Sequence, residues 1–409
     1  MKYKNEIVIT LIITILVLFL KLVNVFQIEN GLGNTFIIII MIICFSSITI
    51  FIQKNIDKNY NENKVNYQNL DILKYISAIL IMILHLRPFI NFSNQLDLAF
   101  NNIITRICVP IFFIITGYFV AKKENNNENY IKDYIKKTIP LYLVWSLLYI
   151  PIIIGTIIKY LPIINEYISK INISLPLFII LLMLLLPIVI LIALCYTGIY
   201  YHLWYFPAII FSLLILKKWK NKFNIKYLLV ISFILLLFGA TETYYGVLPL
   251  LIKELLSYYY NIFFTTRNFL FFGLFYVVLG YFIGTKEKPY SKYCFAKLII
   301  SFFLLVFEAI LLHDTNRLNS NILLSCVPLT YYLFISVIYI TNNIKLKLQF
   351  GNLSKYYYLI HPMIIFIVSL SIKAINNYPY LNIVIVLLIT HIISVLIIKL
   401  KRKNKKLVV

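Results

Sequence analysis

Residues 69–89 read NLDILKYISAILIMILHLRPF, an apolar run of membrane-crossing length with Lys74 near its start and His85 near its end. Eleven residues separate the two, which puts them on one helical face about 16 Å apart along the axis. Ionisable groups are costly in hydrocarbon and face a bundle interior or a water-filled cavity when present. The next run, 106–121 (RICVPIFFIITGYFVA), opens on Arg106 and carries Thr116-Gly117-Tyr118. These two segments are where chemistry is expected.

The chain has 409 residues, 61% of them hydrophobic, against about half for a soluble domain. The fold class is therefore all-α: a polytopic integral membrane helix bundle. Apolar runs of spanning length lie near 6–26, 34–53, 71–91, 103–121, 138–158, 203–217, 226–241, 268–284, 297–312, 320–341, 356–374 and 381–400, about twelve transmembrane helices. The first begins like a signal peptide but lacks a small-residue cleavage site, so it reads as a retained helix. A further run, 176–195, contains Pro176 and Pro187.

The net charge of +23 would suggest nucleic acid in a soluble protein. Here the lysines sit in short connections between spans, where they orient helices and meet anionic lipid, so no nucleic-acid partner is expected. The basic connections are Lys54–Lys64, Lys122–Lys137, Lys217–Lys226, Lys286–Lys297, Lys345–Lys355 and Lys399–Lys406. They share one side, the cytoplasmic one, only if 176–195 does not cross fully. That segment is accordingly expected to be re-entrant or interfacial on the outer side, with both termini cytoplasmic and the chain in the cell membrane. Five cysteines form no CxxC pair, so neither a disulfide framework nor a metal site is indicated.

With this topology His85, Arg87, Arg106, His202, Trp204, Glu242, Arg267, Glu308, His313, Asp314 and Arg317 gather at the outer face, and Lys74 lies at the inner one. Each also has a plainer reading. Arg87 can snorkel, Arg106 and Arg267 can anchor helix starts, and His202 and Trp204 can belong to an aromatic belt. His361 precedes Pro362, where helix carbonyls are left unpaired, and reads as a structural hydrogen bond; His391 also reads as structural. Glu242 and Glu308 read as ion-pair partners of Arg267 or Arg317, or as proton acceptors.

Taken in order, LDILKYISAILIMILH (70–85), RICVPIFFIITGYF (106–119), YIKKTIPLYLVW (134–145), YYHLWYFPAIIFSLLI (200–215), TRNFLFFGLFYVVLGYFIG (266–284) and LSKYYYLIHPMII (353–365) resemble the membrane acyltransferase family 3. Within it they resemble the membrane domain of serine/alanine racemases from vancomycin-resistance clusters. The likeness covers 69–375, which makes 1–53 an extra helix pair, 54–68 a cytoplasmic linker, and 376–409 a last helix with a basic tail. Lys74 stands where the family usually has arginine, and Lys136-Lys137 replaces a pair of arginines. The racemase relatives carry a pyridoxal-phosphate domain after the membrane part; the sequence stops at Val409, so no racemisation is expected.

The resemblance implies transfer of an acyl group, commonly acetyl from acetyl-CoA, to a hydroxyl of a cell-envelope sugar or similar acceptor, with no bound cofactor. Such a transfer needs a base near neutrality, for which His85 serves, and positive groups for phosphates and oxyanion, for which Lys74, Arg106, Lys136 and Lys137 serve. Arg87, His202, Trp204, Arg267 and Glu242 are expected at the substrate. A second reading makes the same residues a pathway for a small amino acid such as serine, with Arg106 and Arg267 on its carboxylate and Glu242 on its amine. The sequence carries no signal for an oligomeric state.

Overall fold

The computed structural model describes residues 67–407 apart from 91–92, 171–174, 287–292, 314, 316, 340–348, 373–374 and 376. The expected helix pair at 1–53 and linker residues 54–66 lie outside the described residues. Helix α1 is Tyr67–Leu86, and α2 is Cys108–Glu124, approached through a short helix, a π turn and a 3-10 turn over 94–107. There follow α3 (Tyr130–Lys170), α4 (Leu175–Ile192), α5 (Tyr205–Trp219), α6 (Ile225–Tyr244) and α7 (Leu250–Phe263). The rest are α8 (Leu274–Thr285), α9 (Cys294–Leu311), α10 (Cys326–Tyr339), α11 (Phe350–Ser371) and α12 (Pro379–Leu407). Among the described residues there is no strand, and seven helices are long and apolar enough to cross a membrane. The protein is an all-α polytopic membrane bundle.

Two close pairings set the frame of the bundle. On α8, Gly280 and Gly284 are four apart; a Cβ at Gly280 would overlap the Ile114 carbonyl, and one at Gly284 would lie 2.8 Å from the Tyr118 carbonyl. With no hydrophobic drive between helices in lipid, small residues at this spacing let the backbones of α2 and α8 touch. The second pairing sets α11 parallel beside α1. Ser354 donates to the Lys74 carbonyl at 3.0 Å, the Tyr357 and Tyr75 hydroxyls meet at 3.2 Å, and His361 stacks on His85. His361 therefore stands level with His85, and α11 starts at Phe350, six residues before the expected 356.

The doubtful segment 176–195 falls within α4 and the π turn Ala193–Thr197 that continues it. Every described residue of α4 is exposed, and it is the far end of the segment that is tied to the bundle. The Tyr142 hydroxyl on α3 donates to the Leu194 carbonyl at 3.1 Å, and the Tyr142 ring also stacks on Phe206 at the start of α5. Hence the end of this segment and the start of α5 meet at the level of Tyr142. Between them the backbone is irregular over Gly198–Trp204. Gly198 takes φ +77° and packs its α-carbon against the Trp204 backbone, a turn no other residue makes without strain. Irregular backbone at this depth is tolerated where it is buried or lines a cavity, and this break does the latter.

Candidate active site

Two cavities lie along α1. The larger, about 560 Å³, is lined by Lys74, Lys123, Lys137 and Lys355 among aromatic residues that include Phe112, Tyr134 and Tyr205. The smaller, about 80 Å³, is lined by His85, Arg106, Tyr201, His202, Trp204, Arg267 and Asn321. Val109 and Tyr358 line both, so one aromatic ring and one small side chain stand between the two.

In the smaller cavity the polar groups are held by ring contacts and hydrogen bonds of different kinds. His85 occupies the last turn of α1, its ring 4.7 Å from that of Tyr201 and 5.4 Å from that of His361, nearly parallel to the latter. Pro88 ends the helix, and Arg87 closes it at φ +43° with its guanidinium 2.9 Å from Asp97. Arg106, on the 3-10 turn before α2, donates to Asn102 at 3.0 Å and reaches Asn321 at 3.5 Å, while its buried Nε has no partner. Arg267 lies over the Trp204 ring at 5.0 Å.

Two buried glutamates hold the loops that carry these groups. The Glu242 carboxylate accepts from the Thr266 amide at 2.8 Å and from the hydroxyls of Thr265 and Thr266. That tethers the turn presenting Arg267. Glu308 accepts from the Tyr244 hydroxyl and from the amides of Leu324 and Ser325 at 2.6 and 2.7 Å, which fixes the loop presenting Asn321. Neither acid pairs with an arginine among the described residues, contrary to the ion-pair expectation, because their oxygens are already committed to loop donors.

The histidines form a cluster. His361 Nδ1 lies 2.8 Å from the Tyr357 carbonyl. A carbonyl only accepts, so this nitrogen carries the proton and Nε2, buried and unpartnered, is left with a lone pair. His202 is buried with both ring nitrogens unpartnered, and its carbonyl accepts from the Tyr358 hydroxyl. Its ring centroid is 5.7 Å from that of His361. Among the described residues no group of His, Cys, Asp and Glu has the arrangement of a metal site.

Of the residues singled out in the sequence, His85, Arg106, His202, Trp204 and Arg267 line the small cavity, and Lys74 and Lys137 line the large one. Lys74 is ion-paired with Asp71 at 2.5 Å. Arg87 is paired at the rim, Lys136 is exposed and lines neither cavity, and Glu242 sits behind Arg267. His391 is hydrogen-bonded to the Tyr357 hydroxyl at 2.8 Å, and His361 makes the structural bond expected of it. The sequence reading missed Tyr201, Asn321 and Tyr358, and it did not place His361 at the site. For the last two the signal was present: Tyr357, Tyr358 and His361 recur at helical spacing in YYLIHP.

Residues 67–399 match the acyltransferase domain of the acyltransferase 3 family. The chain belongs to that family. Membership puts it among the membrane acyltransferases. Two relatives named amino-acid racemase, both from Enterococcus faecalis, are 29% and 28% identical over 82% and 72% of this chain. A serine/alanine racemase from Enterococcus gallinarum is 24% identical over 79% of it. The matched region takes up 46%, 39% and 45% of those relatives, so this family member spans less than half the length of each. No solved structure matches it.

Proposed function

We propose that this acyltransferase moves an acyl group, acetyl from acetyl-CoA, onto a hydroxyl of a cell-envelope sugar or similar acceptor in the small cavity. The observation that carries the reading is the pair of cavities on one helix. A roomy, lysine-lined one ends at Tyr358, and a tight one with His85 and two arginines begins there.

The lysine end faces the cytoplasm in this reading, so Lys74, Lys123, Lys137 and Lys355 meet the donor's phosphates as point charges. The thioester arm runs past Phe112 and Tyr205 toward Tyr358. The His85 imidazole takes the acceptor's hydroxyl proton, and the oxygen attacks the thioester carbonyl. Arg106, held by Asn102 and Asn321, stabilises the oxyanion. The C–S bond then breaks, the ester forms, and the departing thiolate takes the proton back from His85.

The test is purified protein with radiolabelled acetyl-CoA and a panel of envelope glycans. Label appears in an acceptor with the parent chain and is lost with His85→Ala; equal labelling by both proteins refutes the assignment. A second reading, passage of a small amino acid such as serine, draws support from the two arginines and from the racemase names of the relatives. Serine uptake into vesicles without any acyl transfer would decide for it.

A further inference from the structure

Among the described residues the lining of the small cavity carries positive charge and no negative charge. Arg106 and Arg267 both line it, and among the described residues no carboxylate does. Glu242 lies behind Arg267 with its oxygens taken by Thr265 and Thr266. The lining itself, among the described residues, thus holds two guanidiniums and no carboxylate, while Glu242 and Glu308 stand behind it with their oxygens taken by loop donors. Arg106 has only neutral amide oxygens as partners, and its buried Nε has none. Arg267 spreads its face on Trp204, leaving its donors free to turn to the cavity. Uncompensated charge at this depth is expensive, and a bound anion removes the cost.

Resting on the acyl-transfer reading of this site, we propose that the acceptor is a monoanion whose reacting hydroxyl sits close to a carboxylate. The carboxylate lies between Arg106 and Arg267, where a planar fork suits a planar anion. The hydroxyl then lies at His85. A cavity of about 80 Å³ holds only a few heavy atoms, so either a small free hydroxy acid fits, or the acidic end of a larger sugar. An oxyanion-only role for the arginines would leave neutral and acidic acceptors equal, which makes the idea testable.

The experiment uses the whole 409-residue chain in nanodiscs with radiolabelled acetyl-CoA and two matched pairs: lactate against lactamide, and glucuronate against glucuronamide. In each pair the hydroxyls are the same and only the anionic group changes. We expect the acid of one pair to be labelled about tenfold or more over its amide, the order of a charge-assisted hydrogen bond. Preference within the lactate pair marks a free acid, and within the glucuronate pair a sugar-borne one. Arg267→Gln brings the ratio toward one, and Arg267→Lys restores part of it. Acid and amide labelled equally in both pairs overturn the proposal and leave acyl transfer standing, as does glycerol phosphate labelled in preference to either acid. Equilibrium binding of radiolabelled lactate and glucuronate, without donor, separates the two failures. Saturable binding lost in Arg267→Gln, with no transfer to anything, upholds the carboxylate site and sinks the enzyme. No binding of either acid, with neutral glycans labelled, does the reverse.

Discussion

The two cavities on α1 are built to different standards. At the lysine end the charges ride on flexible stems with light support: Lys74 leans on Asp71 at the surface, and Lys123 and Lys355 lie over tyrosine rings at 5.1 and 6.0 Å. At the histidine end the backbone itself is fastened, by Glu242 on one loop and Glu308 on another. Polyphosphate attraction needs only charge, which tolerates imprecision, whereas proton transfer and oxyanion support need fixed geometry. The small cavity should thus respond steeply to single changes, and the large one shallowly.

His85→Ala tests the steep side most directly. Removal of a general base costs about 10²–10⁴ in rate, so transfer should fall by that factor while the KM for acetyl-CoA stays near its parent value. A fall confined to donor KM would erase the distinction between the cavities. Next comes Glu242→Gln, which keeps the shape but removes one acceptor oxygen from a group serving three donors. Leaving buried donors unmet costs about 1–3 kcal/mol. The midpoint of thermal unfolding should drop by several degrees, and transfer should fall about tenfold as Arg267 loosens. Unchanged stability would mean that the loop is held by its other bonds, from Tyr196 to the Thr265 carbonyl and from the Thr266 hydroxyl to the Gly239 carbonyl.

These residues were unequally legible in the sequence. Lys74, His85 and Arg106 announced themselves because charge inside a long apolar run has no bland local explanation. Gly280 and Gly284 stood in plain view at helix-contact spacing. Tyr358 and His361 escaped because α11 lies 282 residues from α1 along the chain where their tyrosine hydroxyls meet, and no local pattern says which span runs beside which. Pro362 gave His361 a sufficient structural role, and the bond to the Tyr357 carbonyl is indeed made; the same bond also leaves Nε2 free beside His85. The acids misled for a related reason. From the sequence Glu242 and Glu308 read equally as ion-pair partners or proton acceptors, but their oxygens are spent on amides and hydroxyls that only the folded loops bring within reach. For 176–195, charge placement could not show that its end meets the start of α5 at Tyr142.

Tyr358 stands where the comparison changes over. Tyr358→Phe keeps the ring and loses only the bond to the His202 carbonyl, so transfer should fall by a small factor, on the order of one hydrogen bond. Tyr358→Ala should open the large cavity into the small one. Water then competes with the acceptor, and hydrolysis of acetyl-CoA measured without acceptor should rise severalfold over the parent protein. If the alanine variant hydrolyses no faster, the ring is not what separates the two spaces.

The smallest effect should come from the lysines. Lys137 is exposed on α3 at the edge of the large cavity, and a solvated charge contributes about 0–1 kcal/mol to an ion pair. Lys137→Ala should therefore raise the KM for acetyl-CoA by about twofold to fivefold and leave kcat alone. The effect should shrink between 0.05 and about 0.5 M salt, because the screening length contracts below the reach of a surface charge. Adding Lys355→Ala should multiply the KM again, since attraction to several phosphates is spread over several points, whereas a second change in the small cavity should add little to His85→Ala. A kcat loss in Lys137→Ala as large as that of His85→Ala, insensitive to salt, would show that the lysine end positions the thioester as strictly as the histidine end positions the acceptor.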